Sequence, residues 1–391
     1  MKMAAEGAPS IMHVVLEPRY SGAEMLVRDL SRVQTAAGHR ISITAFRPSQ
    51  DNFKDELNAL ERDGCELFVP AQNLEKWGRL RWVWAAVKKA QPDVVFAHSI
   101  LPAIYTSLAL RLTRRPAVVT VLHTDDDLAD PSLLRLERLV YQRNACVVGV
   151  SPKSVENFQR RMGGRVPIQV VRNGIKTEHF SQLGKNHRAW REEVYRPEGE
   201  EIIALQVGRI SLQKQQHVSV EALVRLRMKG IGNIRLVLAG ICEDAEYQKR
   251  LVHCAREGGV ENQVQFAGPR GNIGEMLAGA DLYLMPSAWE AHSVAALEAL
   301  ASGVFCIFSS IEAFADLGSY PGVAMIGAPP SSEDLGDCLE RLVSSKNTER
   351  RYERDLEPFS IERCAAEYRD ICEECIGRGS RSGAHTDSRQ G

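Results

Sequence analysis

Short apolar runs alternate with longer amphipathic stretches along almost the whole chain. Ile11–Leu16 is an apolar run of strand length, and Ala23–Ala37 after it has helical spacing and a stop at Gly38. Further strand-like runs are Ile41–Phe46, Glu66–Val69, Asp93–Ala97, Ala117–Leu122, Ala145–Val150 and Ile168–Val171. Helical patterns separate most of them, and this alternation predicts a parallel sheet with helices on both faces. The pattern then restarts, with strands at Glu201–Val207, Ile234–Ala239, Val264–Ala267, Asp281–Met285, Val304–Phe308 and Gly322–Ile326. Helices are expected at Val218–Lys229, Glu243–Glu257, Ala291–Ala301, Glu333–Ser344 and Ile361–Ile376.

Two Rossmann-like, doubly wound α/β domains fit this restart better than one very large sheet. The expected divisions are 1–182 and 183–358, then a terminal helix at 359–376 and a disordered tail at 377–391. The polar stretch Ser181–Glu200, with Gly184, Pro197 and Gly199, is where the boundary is expected. Functional groups in such sheets lie at strand carboxyl ends, and the cleft between two domains is the default active site.

Composition narrows the class. The 391 residues are 44% apolar and 25% charged, which excludes a disordered, collagenous or coiled-coil chain and suffices for two cores. The net charge of −1 argues against nucleic acid as a partner. The charge is uneven, however. Residues 1–190 carry 27 Lys and Arg against 19 Asp and Glu, and the rest of the chain 22 against 31. A basic half points to an anionic partner or surface. Nine cysteines, an odd number spread over a large chain, suggest reduced thiols and a cytoplasmic location. Cys372-Glu-Glu-Cys375 lacks the second CxxC of a zinc site. There is no signal-peptide pattern, and no run approaches the ~18 apolar residues of a membrane span.

Two segments carry candidate chemistry. In Val207-Gly208-Arg209-Ile210-Ser211-Leu212-Gln213-Lys214, a glycine turns the chain at a strand end and two cations follow five apart. A rigid guanidinium fork and a mobile ammonium there suit a diphosphate, or form a solvated basic loop. In the segment from Pro286 to Gly303, Glu290 stands before an almost uncharged helix and Glu298 inside it. A carboxylate in such a helix needs a partner, which is a ligand or a structural cation. The free amides at the helix start form an anion site.

Together these segments resemble the retaining GT-B glycosyltransferases of family 4, with their GR-x4-K loop and Glu-x7-Glu pair. Supporting stretches are Ser21-Gly22-Ala23-Glu24, Pro92–Ser99, Val171-Arg172-Asn173-Gly174-Ile175, and Gly268 with Ala280-Asp281 and Pro286-Ser287. The resemblance implies two Rossmann-like domains facing across a cleft, and the terminal helix returning to the N-terminal domain. It implies a metal-independent hexosyl transfer from a UDP- or GDP-linked sugar, with no further cofactor. It gives Arg209 and Lys214 the donor diphosphate, Glu298 the ribose hydroxyls, and Glu290 the donor sugar's hydroxyls and reacting face. The amides of His292, Ser293 and Val294 cup sugar and phosphate. Gly208 turns the donor loop, and Gly22 lets the N-terminal loop approach the ligands. His123 matches a histidine near the anomeric carbon, while His98 and Asp125 are acceptor-side candidates.

The chain departs from the family at Ala291-His292-Ser293, where Gly-x-Gly is usual. Cβ atoms there bear on donor choice and on activity. Asp125-Asp126-Asp127 is read as a loop or helix start and not as a metal site.

The expected acceptor is a lipid-linked, phosphorylated or polysaccharide glycan of cell-envelope assembly. Lys76–Lys89, with three Trp and five cations, is either a helix with Trp in the core or one resting on anionic lipid at the inner membrane face. A soluble small-molecule acceptor, a sugar-nucleotide epimerase and a non-catalytic nucleotide-sugar binder are the alternatives. Sequence leaves the oligomeric state open.

Overall fold

The computed structural model describes residues 8–111, 113, 116–124, 138, 140–141, 144–163, 166–345 and 351–384, with backbone alone for 378–384. The chain divides into two compact units, 1–174 with 359–391, and 175–358.

The first unit is built on seven parallel strands: β1 (Ser10–Val15), β2 (Arg40–Ala45), β3 (Glu66–Phe68), β4 (Val94–His98), β5 (Ala117–Leu122), β6 (Cys146–Gly149) and β7 (Ile168–Val170). Their order is β3-β2-β1-β4-β5-β6-β7, so the topology reverses between β1 and β4. Both central strands are buried throughout, because helices cover both faces. Alternate residues feed two cores. Ile11, Val94 and Phe96 join one, and Met12, Val95 and Ala97 the other. The helices are α1 (Gly22–Ala36), α2 (Lys54–Arg62), α3 (Lys76–Ala90), α4 (Ile100–Ala109) and α5 (Pro152–Met162).

The second unit has six parallel strands: β8 (Ile202–Val207), β9 (Ile234–Ala239), β10 (Val264–Gly268), β11 (Leu282–Met285), β12 (Phe305–Ser309) and β13 (Val323–Ile326). Their order is β10-β9-β8-β11-β12-β13, with the reversal between β8 and β11. Its helices are α6 (Thr177–Gly184), α7 (His187–Trp190), α8 (Gln216–Met228), α9 (Ala245–Glu257), α10 (Ile273–Gly279), α11 (Val294–Ala301) and α12 (Ser332–Ser344).

The chain passes from one unit to the other at Gly174–Ile175, and the polar stretch expected to separate them is folded onto the second unit. It forms α6, α7 and a π-helical turn at Arg191–Tyr195. Asp281 anchors it, accepting from the Ile203 amide at 2.7 Å and from Arg191 Nε at 3.2 Å, with His187 Nε2 3.3 Å away. Gly174 is tightly enclosed. A Cβ there would lie 2.6 Å from Cys364 Cβ and 2.7 Å from the Ser360 carbonyl oxygen.

The terminal helix α13 (Ile361–Ala384) runs beyond the expected end at Ile376 and takes up residues 377–384 of the stretch read as a disordered tail. Ile361, Cys364, Tyr368, Ile371, Cys372 and Cys375 recur every three or four residues and enter the core beside α1. Both thiols of the CxxC pair are therefore core groups.

Candidate active site

In the second unit the candidate groups collect at the carboxyl ends of β8 and β11, where the strand order reverses. That is the ligand position in doubly wound sheets. Gly208 follows β8 with a φ of 150°, and a Cβ on it would lie 2.9 Å from Lys214 Cε. Glycine therefore lets the lysine stem lie across the turn. Gln206 Nε2 donates to the Lys214 carbonyl at 2.8 Å and Ser219 Oγ donates to Gln206 Oε1 at 2.8 Å, which fixes the end of the loop. The Lys214 side chain then reaches the segment after β11, where Nζ donates to Glu290 Oε1 at 2.5 Å. Both side chains are buried.

Gln213 joins the same two segments. Its carbonyl accepts from the Ala288 amide at 2.9 Å, and its Nε2 donates to the Trp289 carbonyl at 2.9 Å. Arg209 is more open. It donates to Glu243 Oε1 at 2.5 Å and to Gln213 Oε1 at 2.9 Å.

Ser293 caps α11, its hydroxyl accepting from the Ala296 amide at 3.4 Å. The helix therefore starts at Val294, three residues later than its apolar pattern suggested, and Glu290 and Ala291 lie outside it. His292, Ser293 and Val294 are half-buried at this start, where helix amides lack partners within the helix. Glu298 is one turn further in and buried. The structure thus brings Gly208, Arg209, Lys214 and Glu290 into one cluster and adds Gln213 and Glu243.

The remaining candidates belong to the first unit. Gly22 opens α1, and Glu24 lies buried in the first turn, accepting from the Ser21 hydroxyl. Burial pushes the Glu24 carboxyl up, against the pull of Ser21 and Arg19. His98 ends β4 and His123 follows β5, and the two are bonded, His98 Nδ1 to His123 Nε2 at 2.9 Å. The chain continues inward from His98 Nε2 to His13 Nδ1 at 3.0 Å and from His13 Nε2 to Gln34 Oε1 at 2.9 Å. Burial pushes His13 and His123 down to about 4 and His98 well below its ordinary value, so all three rings are neutral. His13 and Gln34 were not expected from sequence. The signal was a lone histidine inside the apolar run Ile11–Leu16. Asp125 lies outside the described residues.

Comparison with known proteins gives the family and the fold. The family profile described as Glycosyl transferases group 1 matches residues 188–355, and that described as Glycosyltransferase Family 4 matches 20–179. N-acetyl-α-D-glucosaminyl L-malate synthase of Bacillus anthracis is 25% identical over 291 residues, covering 71% of this chain and 74% of that protein. The UDP-Gal:α-D-GlcNAc-diphosphoundecaprenol α-1,3-galactosyltransferase of Escherichia coli is 24% identical over 322 residues, covering 77% and 79%. The crystal structure of Anabaena Alr3699/HepE in complex with UDP-glucose superposes with a TM-score of 0.70 at 18% identity, over 96% of this chain and 100% of that one. The two profiles together span most of the sequence, and the folds coincide over nearly all of it. The chain belongs to the family 4 glycosyltransferases and has the GT-B fold, with two parallel-sheet α/β domains.

Proposed function

We propose that this glycosyltransferase moves a hexosyl group from a nucleoside diphosphate sugar, UDP- or GDP-linked, to a glycan hydroxyl with retention of anomeric configuration. The observation that carries this reading is the Lys214–Glu290 pair, buried beside Arg209 and the start of α11 at the switch point of the second sheet. As the sugar–phosphate bond breaks, negative charge grows on the diphosphate and the ring becomes oxocarbenium-like. Arg209, Lys214 and the amides of His292, Ser293 and Val294 stabilise the leaving charge as preorganised cations and dipoles. They take the part a metal ion would play. Glu298 holds the ribose hydroxyls. Glu290 holds the donor sugar's hydroxyls and gives up part of its bond to Lys214 when the diphosphate arrives. His123 receives a substrate hydroxyl, and Gly22 leaves room for the loop after β1 to approach. The acceptor hydroxyl attacks from the face the diphosphate leaves, its proton going to a departing phosphate oxygen.

We assign the acceptor to the lipid-linked or phosphorylated glycans of cell-envelope assembly, with the protein docking on anionic membrane at its cytoplasmic face. α3 supports this: Trp77, Arg81, Trp84 and Lys88 form one exposed stripe. The Escherichia coli relative is named for a diphosphoundecaprenol acceptor. The Bacillus anthracis relative is named for an L-malate product, so a small soluble acceptor is the competing reading.

The test is a panel of UDP-, GDP-, ADP- and CMP-sugars with lipid-linked, phosphorylated and small-molecule acceptors. Nucleotide release, product anomer and the effect of a chelator are measured. The expected result is chelator-insensitive release of nucleoside diphosphate and a product of unchanged anomeric configuration. Isomerised donor without release would identify an epimerase. Binding without turnover of any donor would identify a non-catalytic binder.

A further inference from the structure

We propose that Gln34, His13 and His98 are positioning residues that hold His123 in a single tautomer, with its Nδ1 lone pair turned toward a substrate hydroxyl. This rests on the reading of His123 as a residue that meets substrate. The placement follows from strand register. His13 pairs with Phe96 across β1 and β4, and His98 pairs with Val121 across β4 and β5. Residues two apart share a sheet face, so each histidine lies one strand over and two residues nearer the carboxyl edge than the last. The rings of each bonded pair have centroids 5.2 Å apart. Phe96 stacks on His13 at 5.6 Å and 19°, which fixes the plane of the innermost ring.

The direction of the hydrogen bonds is set at the buried end. Gln34 turns Oε1 toward His13 and leaves its Nε2 buried and unbonded; in this orientation the oxygen can only accept, so His13 Nε2 carries a hydrogen and His13 Nδ1 is a lone pair. That lone pair requires a hydrogen on His98 Nε2, which makes His98 Nδ1 an acceptor in turn. His123 Nε2 must then donate, and its remaining nitrogen, Nδ1, is an acceptor. Nothing is bonded to that nitrogen among the described residues. One amide on α1 thereby decides which atom a histidine three links away offers. The depressed basicity of all three rings keeps a proton from adding and reversing the order. His123 so held is a hydrogen-bond acceptor rather than a cation.

The experiment is two-bond 1H–15N correlation of 15N-histidine-labelled full-length protein at one neutral pH, with transfer kinetics alongside. In the wild type His13, His98 and His123 should each be neutral and purely Nε2–H. In Gln34→Leu, His123 should become a mixture of tautomers although it does not touch residue 34. Its kcat should fall about tenfold with donor KM unchanged, the loss expected for one misdirected hydrogen bond. An Nδ1–H form at any of the three rings in the wild type overturns the proposal, even if Gln34→Leu does not fold. So does a His123 spectrum unchanged by Gln34→Leu. Undiminished transfer in His123→Ala, with the spectra as expected, would instead remove the substrate role of His123, and with it the positioning role.

Discussion

The two cations of the Gly208–Lys214 loop should respond differently to truncation. The Arg209 side chain is 38% exposed and faces a similarly exposed Glu243, and such pairs contribute ~0–1 kcal/mol. Arg209→Ala is therefore expected to melt at the wild-type temperature. Its turnover should fall roughly ten- to a hundredfold, because a charge-assisted contact is worth about 1.5–3 kcal/mol. Lys214 and Glu290 are 11% and 8% exposed, so Lys214→Ala strands a buried carboxylate at a cost of about 3 kcal/mol. Stability and turnover should fall together, and Lys214→Met combined with Glu290→Gln should recover the melting temperature alone. A Lys214→Ala protein that melts like wild type would contradict this. For the carboxylates, Glu298→Gln should weaken binding of free nucleoside diphosphate, whereas Glu290→Gln should spare it and slow the chemical step. Calorimetry separates the two, and equal losses would mean the division of roles is wrong. The loop and the carboxylates were legible in the sequence because each is a local spacing after a strand. The Lys214–Glu290 contact spans 76 residues and the His13–His98 contact 85, and only the sheet reveals them.

At the scale of elements, apolar periodicity located every described strand; the central ones are continuous apolar runs because both faces are buried, whereas the edge strands β3, β7, β10 and β13 are only partly buried. It misjudged ends that depend on caps. The apolar pattern put the start of α11 at Ala291, but the Ser293 hydroxyl begins it later. The pattern put the end of α13 at Ile376, yet the helix continues to Ala384. Periodicity also left α3 undecided between core and surface. Here Trp82 is half-buried and donates to Thr44 Oγ1 at 3.1 Å, while Trp77 is 80% and Trp84 48% exposed. Arg79 donates to the Leu74 carbonyl and Lys89 pairs with Glu66, while Arg81 and Lys88 share the outer stripe with the two tryptophans, Lys88 Nζ lying over the Trp84 ring at 5.0 Å. Each cation near an anionic leaflet contributes about 1 kcal/mol, screened within a Debye length. Trp77→Ala, Trp84→Ala, Arg81→Gln and Lys88→Gln combined should therefore abolish salt-sensitive co-sedimentation with anionic vesicles and leave turnover of a water-soluble acceptor unchanged. Equal binding to neutral and anionic vesicles would favour the soluble-acceptor reading.

Across the whole molecule, the two units follow the same strand-order rule but bury different titratable groups. The first buries His13 and His98 and half-buries His123, all as neutral rings. In the second, burial works against ionisation of Asp281, but His187, the Ile203 amide and Arg191 outweigh it and hold the carboxyl below its usual range. These groups act on stability in different windows of pH. A histidine ring depressed to about 4 takes up no proton in the native state until the pH nears 4, whereas the unfolded chain protonates it near 6.5. Between those values the unfolded state binds more protons, so stability is complete above pH 6.5 and is lost as the pH falls toward 4. The gap is worth up to about 3 kcal/mol for one such ring, and less than the simple multiple for a coupled chain. Glu24 acts in the opposite sense, because its raised carboxyl binds a proton earlier in the native state, but it is one group against three. The lowered carboxyl of Asp281 sheds stability only once the pH drops below about 3.8. Acid should therefore loosen the first unit while the second holds. Hydrogen exchange corrected for intrinsic rates checks this: opening free energies across β1, β4 and β5 should drop between pH 6.5 and 4, while those of β8 and β11 stay level. A parallel decline in both sheets would show that the histidine chain does not govern acid stability.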